Sequence, residues 1–116
     1  MKYNFDWKIV ETFRLNQTVN ISNNAIVISE WCYEKMGKPD RIEIGFDEST
    51  KQFAFKKANN GFLINHCQNH HRIFNRNLIG KIVELLGKTE IPKGKPLAYN
   101  AEYIKDEDFI ILTPQP

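Results

Sequence analysis

Residues 18–56 read TVNISNNAIVISEWCYEKMGKPDRIEIGFDESTKQFAFK, and this stretch decides the expected fold. It predicts a strand pair turning at Asn23-Asn24, because asparagine tolerates the positive φ that tight hairpin turns need. A short helix follows, with Ser29 suited to the N-cap and Gly37 suited to the left-handed residue that ends a helix. Alternating apolar residues then predict a hairpin with an acidic tip. The stretch is therefore expected to form one hairpin–helix–hairpin unit.

The same order of elements recurs in residues 62–112. Two strand-like segments flank a turn near residues 68–69, and a second helix ends at Gly87 before another hairpin with an acidic tip. The sequence thus predicts two units, 18–56 and 62–112, related by duplication. The alternative is that both stretches contain only elements common to all helix-and-hairpin proteins.

The fold class expected from this pattern is α+β, an antiparallel sheet assembly with two helices in a single domain over residues 1–116. Alternation of apolar and polar residues also predicts an N-terminal strand within 3–14. The second helix carries apolar residues at three- and four-residue spacing, which predicts that it supplies the central core. Its expected core residues are Leu78, Ile79, Ile82, Val83, Leu85 and Leu86.

Composition and charge narrow the class of protein. Sixteen Lys and Arg residues against fourteen Asp and Glu give a net charge of +2, too small to steer the whole molecule onto nucleic acid. Two cysteines are too few for a secreted disulfide scaffold. The sequence has neither the apolar segment of a signal peptide nor that of a membrane span. We therefore expect a soluble, cytoplasmic protein without a membrane partner; a homodimer is left open.

The densest group of potential metal ligands lies in residues 66–71, HCQNHH. A turn at residues 68–69 would place Cys67 opposite His70 and His66 opposite His71, on two different faces of the ribbon. Neither face alone would then supply the three or four ligands that zinc requires. We therefore expect no metal site and no cofactor.

The sequence carries no catalytic signature, and the chain is not expected to be an enzyme. The histidines next to Cys67 in sequence do not establish a base oriented towards the thiol. The acidic residues fall at hairpin tips, where solvated turns favour them. The six glycines are isolated from one another, so no phosphate-binding loop is formed.

The segment 69–76 combines a turn, arginine and an aromatic residue, which is the composition of a binding surface. Two consecutive lysines provide a second basic position. The candidate binding residues are Arg72, Phe74, Arg76, Lys56 and Lys57.

Residues 28–44, ISEWCYEKMGKPDRIEI, and the following hairpin that ends in FAFK at 53–56 resemble two groups of proteins. One is the strand–helix–strand–strand module of AbrB/MazE-like swapped-hairpin DNA-binding proteins. The other is a set of small uncharacterised phage and mobile-element proteins, among which are anti-CRISPR-type inhibitors. The second resemblance implies a non-catalytic binding protein that inhibits or modulates a host protein or nucleoprotein complex. The first implies an alternative, a DNA-binding transcriptional regulator, so a nucleic-acid partner is left open. A third class is a metal-dependent enzyme built on residues 66–71.

Overall fold

The computed structural model describes residues 17–67 and 70–115, so the strand predicted within 3–14 lies outside the described residues. The described part contains nine strands: β1 Thr18–Ile21, β2 Ile26–Ile28, β3 Arg41–Asp47, β4 Gln52–Lys57, β5 Phe62–Leu63, β6 Asn65–Cys67, β7 His70–Ile73, β8 Leu97–Ile104 and β9 Phe109–Pro114. It also contains two helices, α1 Glu30–Lys35 and α2 Arg76–Leu85. Mixed α+β structure, dominated by an antiparallel sheet with two helices, is therefore confirmed.

The strands form one antiparallel sheet in the order β5-β3-β4-β9-β8-β1-β2-β7-β6. β5 and β6 stand at opposite ends of this order, yet Ile64 alone separates them along the chain. The sheet must therefore curl until its two edges approach each other, which gives a nearly closed barrel. The backbone N–H of Ile64 donates to the carbonyl of Asp40, 2.9 Å away and directly before β3.

The strand-like segment predicted before the turn near residues 68–69 is divided at Ile64, because β5 pairs with β3 whereas β6 pairs with β7. Gly61 allows the chain to approach β3 this closely. A Cβ atom at Gly61 would lie 2.0 Å from the backbone oxygen of Ile42, so no side chain fits there. The sequence pattern did not predict this division, since it depends on a contact between distant parts of the chain.

Alternation along the strands directs one face of the sheet into the barrel. Phe53 and Tyr99, from β4 and β8, meet inside in an edge-to-face contact with ring centroids 5.7 Å apart. The buried apolar residues contributed by the strands are Val19, Ile21, Ile26, Ile28, Ile42, Phe53, Phe55, Ile73, Tyr99, Ala101, Ile110 and Leu112. The centre of the core is thus built by the sheet.

The predicted capping residues are confirmed at both helices. The Ser29 side chain accepts a hydrogen bond from the backbone of residue 32 at α1, and Gly37 and Gly87 have φ of 86° and 70° after α1 and α2. The second helix begins at Arg76, earlier than its apolar pattern indicated, because the Asn75 side chain caps it. Neither described helix is long and apolar enough to cross a membrane.

The prediction that α2 supplies the central core is only partly correct. Ile79, Ile82 and Val83 are buried, and Leu78 and Leu86 are partly buried against the core. The sixth residue of the predicted set, Leu85, is partly exposed and does not belong to the core cluster. α2 therefore adds one face to a core that the strands complete.

Replacing Ile82, which is 2% exposed, with Ala should lower the free energy of unfolding by about 2–5 kcal/mol, because the change leaves a cavity in the core. Thermal melts of the parent and the variant measure the effect. Lys81→Ala, on the exposed side of the same helix, serves as the control and should change the stability by less than about 0.5 kcal/mol. An unchanged melting midpoint for Ile82→Ala would contradict the assignment of this residue to the core.

Candidate binding surface and histidine cluster

Two of the predicted binding residues, Arg72 and Phe74, lie at the β7 end of the sheet. His71 and Ile73 are buried, so the alternation of the strand directs Arg72 to the opposite, outer face. Phe74 follows β7 and is 51% exposed. Arg76 is the exposed first residue of α2. The structure therefore keeps these three predicted residues within one short segment of the surface.

Leu63 is a second large apolar residue on the surface, with 47% of its area exposed. The next residue, Ile64, is buried, so Leu63 and Asn65 lie on the outer side of the chain there. Asn65 pairs directly with Arg72 in the β6–β7 ladder. We define the seam patch as Leu63, Asn65, Arg72 and Phe74. Sequence reasoning missed Leu63, although its position beside a connecting glycine was a usable signal.

Arg72 has an unusual hydrogen-bonding state. The residue is partly buried, and its Nε is fully buried without a hydrogen-bond partner. A buried donor without a partner costs about 1–3 kcal/mol, so this nitrogen lowers the stability of the folded chain.

Lys56 and Lys57 lie elsewhere, at the end of β4. Each has an acidic neighbour, with Lys56 Nζ 3.5 Å from Glu43 and Lys57 Nζ 3.5 Å from Asp108. In the sheet order, β9, β8, β1 and β2 stand between β4 and β7. The structure thus separates the two lysines from the predicted arginine surface.

The predicted arrangement of residues 66–71 is confirmed in register, with His66 opposite His71 and Cys67 opposite His70. The Nδ1 atoms of His66 and His71 are 2.8 Å apart and share a hydrogen bond. His71 is only 6% exposed, whereas His66 is exposed. One histidine therefore anchors the pair inside the protein, and the other opens it to solvent.

Helix α1 supplies the remaining members of this cluster. His71 Nε2 donates to the carboxylate of Glu30, and the Tyr33 ring stacks on the His71 ring at a centroid distance of 3.8 Å. The Tyr33 hydroxyl is 3.5 Å from His66 Nε2. Glu30, Tyr33, His66 and His71 are hereafter the histidine cluster. Because Glu30 and Tyr33 are three residues apart, they lie on one face of the helix. The sequence did not indicate that this face packs against β7.

The electrostatics of the cluster follow from these contacts. The hydrogen bond from His71 holds the pKa of Glu30 below its usual value. Burial, assisted by the charges of Asp40 and Glu30, raises the pKa of Tyr33, so its hydroxyl keeps its proton at neutral pH. A charged carboxylate at Glu30 favours a proton on His71 Nε2 and directs the Nδ1 atom of that ring towards His66.

Cys32 does not join the histidine cluster. Its sulfur lies 3.7 Å from the carbonyl oxygen of Thr18, and burial raises the pKa of its thiol to about 11. A neutral, buried thiol is a poor nucleophile and a poor metal ligand at pH 7. Within residues 17–67 and 70–115, no group of three or more His, Cys, Asp or Glu side chains is arranged to hold a metal ion.

Replacing Glu30 with Gln should make stability less dependent on pH in the acid range. The pKa of Glu30 is lower in the folded protein than its usual 4.5, so its stabilising effect is complete above about pH 4.5 and is lost as the pH falls through the lowered folded pKa. Urea midpoints between about pH 3 and pH 7 should therefore fall more steeply for the parent than for the variant. Glu48→Gln, at an exposed hairpin turn, is the control, and equal slopes for the parent and Glu30→Gln would contradict this role of Glu30.

Comparison with known proteins gives no relative from which a function could be inferred. No family profile matches the chain. No curated protein sequence and no solved structure matches it significantly either.

Proposed function

We propose that this chain is a non-catalytic binding protein of the phage or mobile-element type, which inhibits or modulates a host macromolecular complex in the cytoplasm. The observation that carries the proposal is the exposure of Leu63 and Phe74 on the outer face, both at the same end of the Asn65–Arg72 pair. Large apolar side chains next to arginine are the usual anchors of protein–protein interfaces, because both lose contact with water when a partner covers them. The anti-defence role itself rests on the resemblance of residues 28–56.

The chemistry of the seam patch favours a protein partner with an apolar pocket and a nearby acceptor. Phe74 would fill the pocket, while a carboxylate or carbonyl oxygen would accept from the guanidinium of the partly buried Arg72. The arginine at position 76 adds a charge-assisted contact at the same end of the segment. The small net charge and the acidic neighbours of Lys56 and Lys57 argue against a surface designed for a polyanion.

A DNA-binding regulator of the AbrB type is the second candidate, and the strand order supports it. Along the sheet, hairpins β3-β4, β9-β8, β1-β2 and β7-β6 come alternately from the first and the second predicted unit. Interleaved hairpins are what a swapped-hairpin fold implies. We rank this function second because those modules usually have proline where Ser29 stands, and because the loop Ser22-Asn23-Asn24 lacks their basic residues.

We further propose that the two units arose by duplication. The support is topological: exchanging β1, β2, β3 and β4 with β6, β7, β8 and β9 preserves six of the eight strand pairings of the described sheet. The β4–β9 and β2–β7 pairings map onto themselves, and β1–β8 maps onto the place where β3, through β5, approaches β6. Each unit also has one helix between its hairpins, ended by glycine with positive φ.

If the units are equivalent copies, their order in the chain should be interchangeable. A circular permutant that opens the exposed connector at Asn59-Asn60 and joins Pro116 to Met1 by a flexible linker should fold with the circular dichroism spectrum of the parent. The described chain ends favour this design, because Gln17 and Gln115 both hydrogen-bond to β8. A permutant opened inside α2 should fail to fold. If the permutant opened at Asn59-Asn60 fails to fold, the two units are not equivalent.

The binding proposal is tested with two matched double variants, Arg72→Ala/Arg76→Ala and Lys56→Ala/Lys57→Ala, each of which removes two positive charges. Partner capture from a bacterial lysate comes first, and affinities for the captured protein are then measured. The arginine variant should bind at least about 1 kcal/mol more weakly because it removes anchor side chains, and the lysine variant should bind like the parent. Phe74→Ala should weaken binding to a similar extent.

Circular dichroism of each variant provides the folding control. A folded arginine variant that binds as tightly as the parent would move the site away from the seam patch, and a selective effect of the lysine variant would place it on β4. Retention of duplex DNA that weakens steeply with salt would favour the regulator instead.

A further inference from the structure

We propose that His66 and His71 together bind one exchangeable divalent transition-metal ion through their Nδ1 atoms. Such a site is independent of the proposed partner surface, since the two histidines lie on the opposite side of β6 and β7 from the seam patch. It also revises the expectation from sequence that residues 66–71 bind no metal. That expectation counted ligands for a structural zinc site, whereas the structure surrounds one histidine pair with orienting groups.

The first argument is the direction of the nitrogen lone pairs. His71 donates from Nε2 to Glu30, which leaves the Nδ1 of a neutral ring as a lone pair facing His66. The two Nδ1 atoms are 2.8 Å apart, and two lone pairs at this distance repel each other unless a proton or a cation lies between them. A proton on Nδ1 of His66 occupies this position in the hydrogen bond, and a metal ion competes with that proton for it.

The second argument is the distance between the rings. With metal–nitrogen bonds of about 2.0–2.1 Å, two imidazole nitrogens of a tetrahedral zinc site lie about 3.3 Å apart. The Nδ1 atoms would have to separate by only about 0.5 Å from their present distance. The ring centroids are 5.0 Å apart and the ring planes differ by 78°, and a small rotation of the exposed His66 ring would provide this change.

The third argument is the support around the ligands. A histidine that binds a metal usually donates its other N–H to a carboxylate or carbonyl, which fixes the ring and makes the ligand more basic. Glu30 has this relation to His71, and the stacked Tyr33 ring holds the same imidazole from one side. The Tyr33 hydroxyl near Nε2 of His66 is placed to orient the second ring. Both histidines thus have an outer partner in addition to each other.

Ligand type and exposure define the ion. Imidazole nitrogen suits zinc, copper and nickel, whereas magnesium and calcium prefer oxygen. Two protein ligands leave further coordination positions for water, and the exposure of His66 leaves them accessible. An ion held in this way exchanges readily with the solvent.

The test is calorimetric titration of the full chain, produced without an affinity tag and freed of metal with a chelator, using zinc chloride at about pH 7.5. We expect one ion per chain. His66→Ala should weaken binding at least tenfold, and Glu30→Gln should weaken it by about 10–100-fold, the usual effect of removing a carboxylate behind a histidine ligand. His70→Ala is the matched control, because the register pairs His70 with Cys67, and it should bind like the parent.

Three results would overturn the proposal: no binding by the folded parent up to about 1 mM zinc or copper(II), unchanged binding by His66→Ala, or a loss in His70→Ala as large as that in His66→Ala. His71 is buried, so its substitution risks unfolding the chain and is not used. Circular dichroism of His66→Ala and Glu30→Gln verifies that each variant is folded. Partner binding by the seam patch is measured separately and does not depend on the outcome.

Discussion

The approach of the two sheet edges at Ile64 is the constraint on which the rest of the structure depends. A single residue joins β5 to β6, and its side chain is 3% exposed while its backbone N–H bonds to the carbonyl before β3. Because one residue of extended chain spans at most about 3.3–3.6 Å, the first and last strands of the sheet order have to come together. Closure gives the strands a shared interior and leaves less unpaired edge in contact with water.

Both candidate sites lie where this closure occurs. On the outer face, Leu63 and Phe74 are both exposed at one end of the strand pair that contains Arg72. On the opposite side of the same two strands, His66 and His71 meet the side chains of α1. Strand alternation keeps the two sites apart although they use neighbouring residues, since successive side chains point to opposite faces. A short ribbon therefore presents an apolar and cationic surface on one side and a titratable cluster on the other.

The proposed binding function and the proposed metal site make different demands on the structure. An interface anchor works through exposed area and needs only a stable support, which the ladder from β7 through β2 to β1 provides. A two-histidine site depends instead on orientation, because its ligands act only while Glu30 and Tyr33 hold the rings. Binding at one site would leave the other intact as long as the β6–β7 ladder persists. The two activities can therefore be separated by single substitutions.

The sequence alone determined the features that depend on neighbouring residues. Caps at Ser29 and Gly37, the acidic hairpin turns and the pairing of His66 with His71 follow from local backbone preferences and from turn length, which act within a few residues. The apolar pattern of α2 begins only at Leu78, whereas the helix begins at Arg76 because the side chain of Asn75 caps it.

Only the tertiary structure decided where the chain divides at Ile64, that the face of α1 with Glu30 and Tyr33 covers β7, and that Leu63 shares the outer face with Arg72. These contacts join residues far apart in sequence, and the energy that selects them comes from burying the whole core at once. Local preference does not contain that information, because several arrangements of the same hairpins satisfy the same turns and caps. The closed sheet is the arrangement in which the local turns and caps and the packing of the interior are all favourable at once.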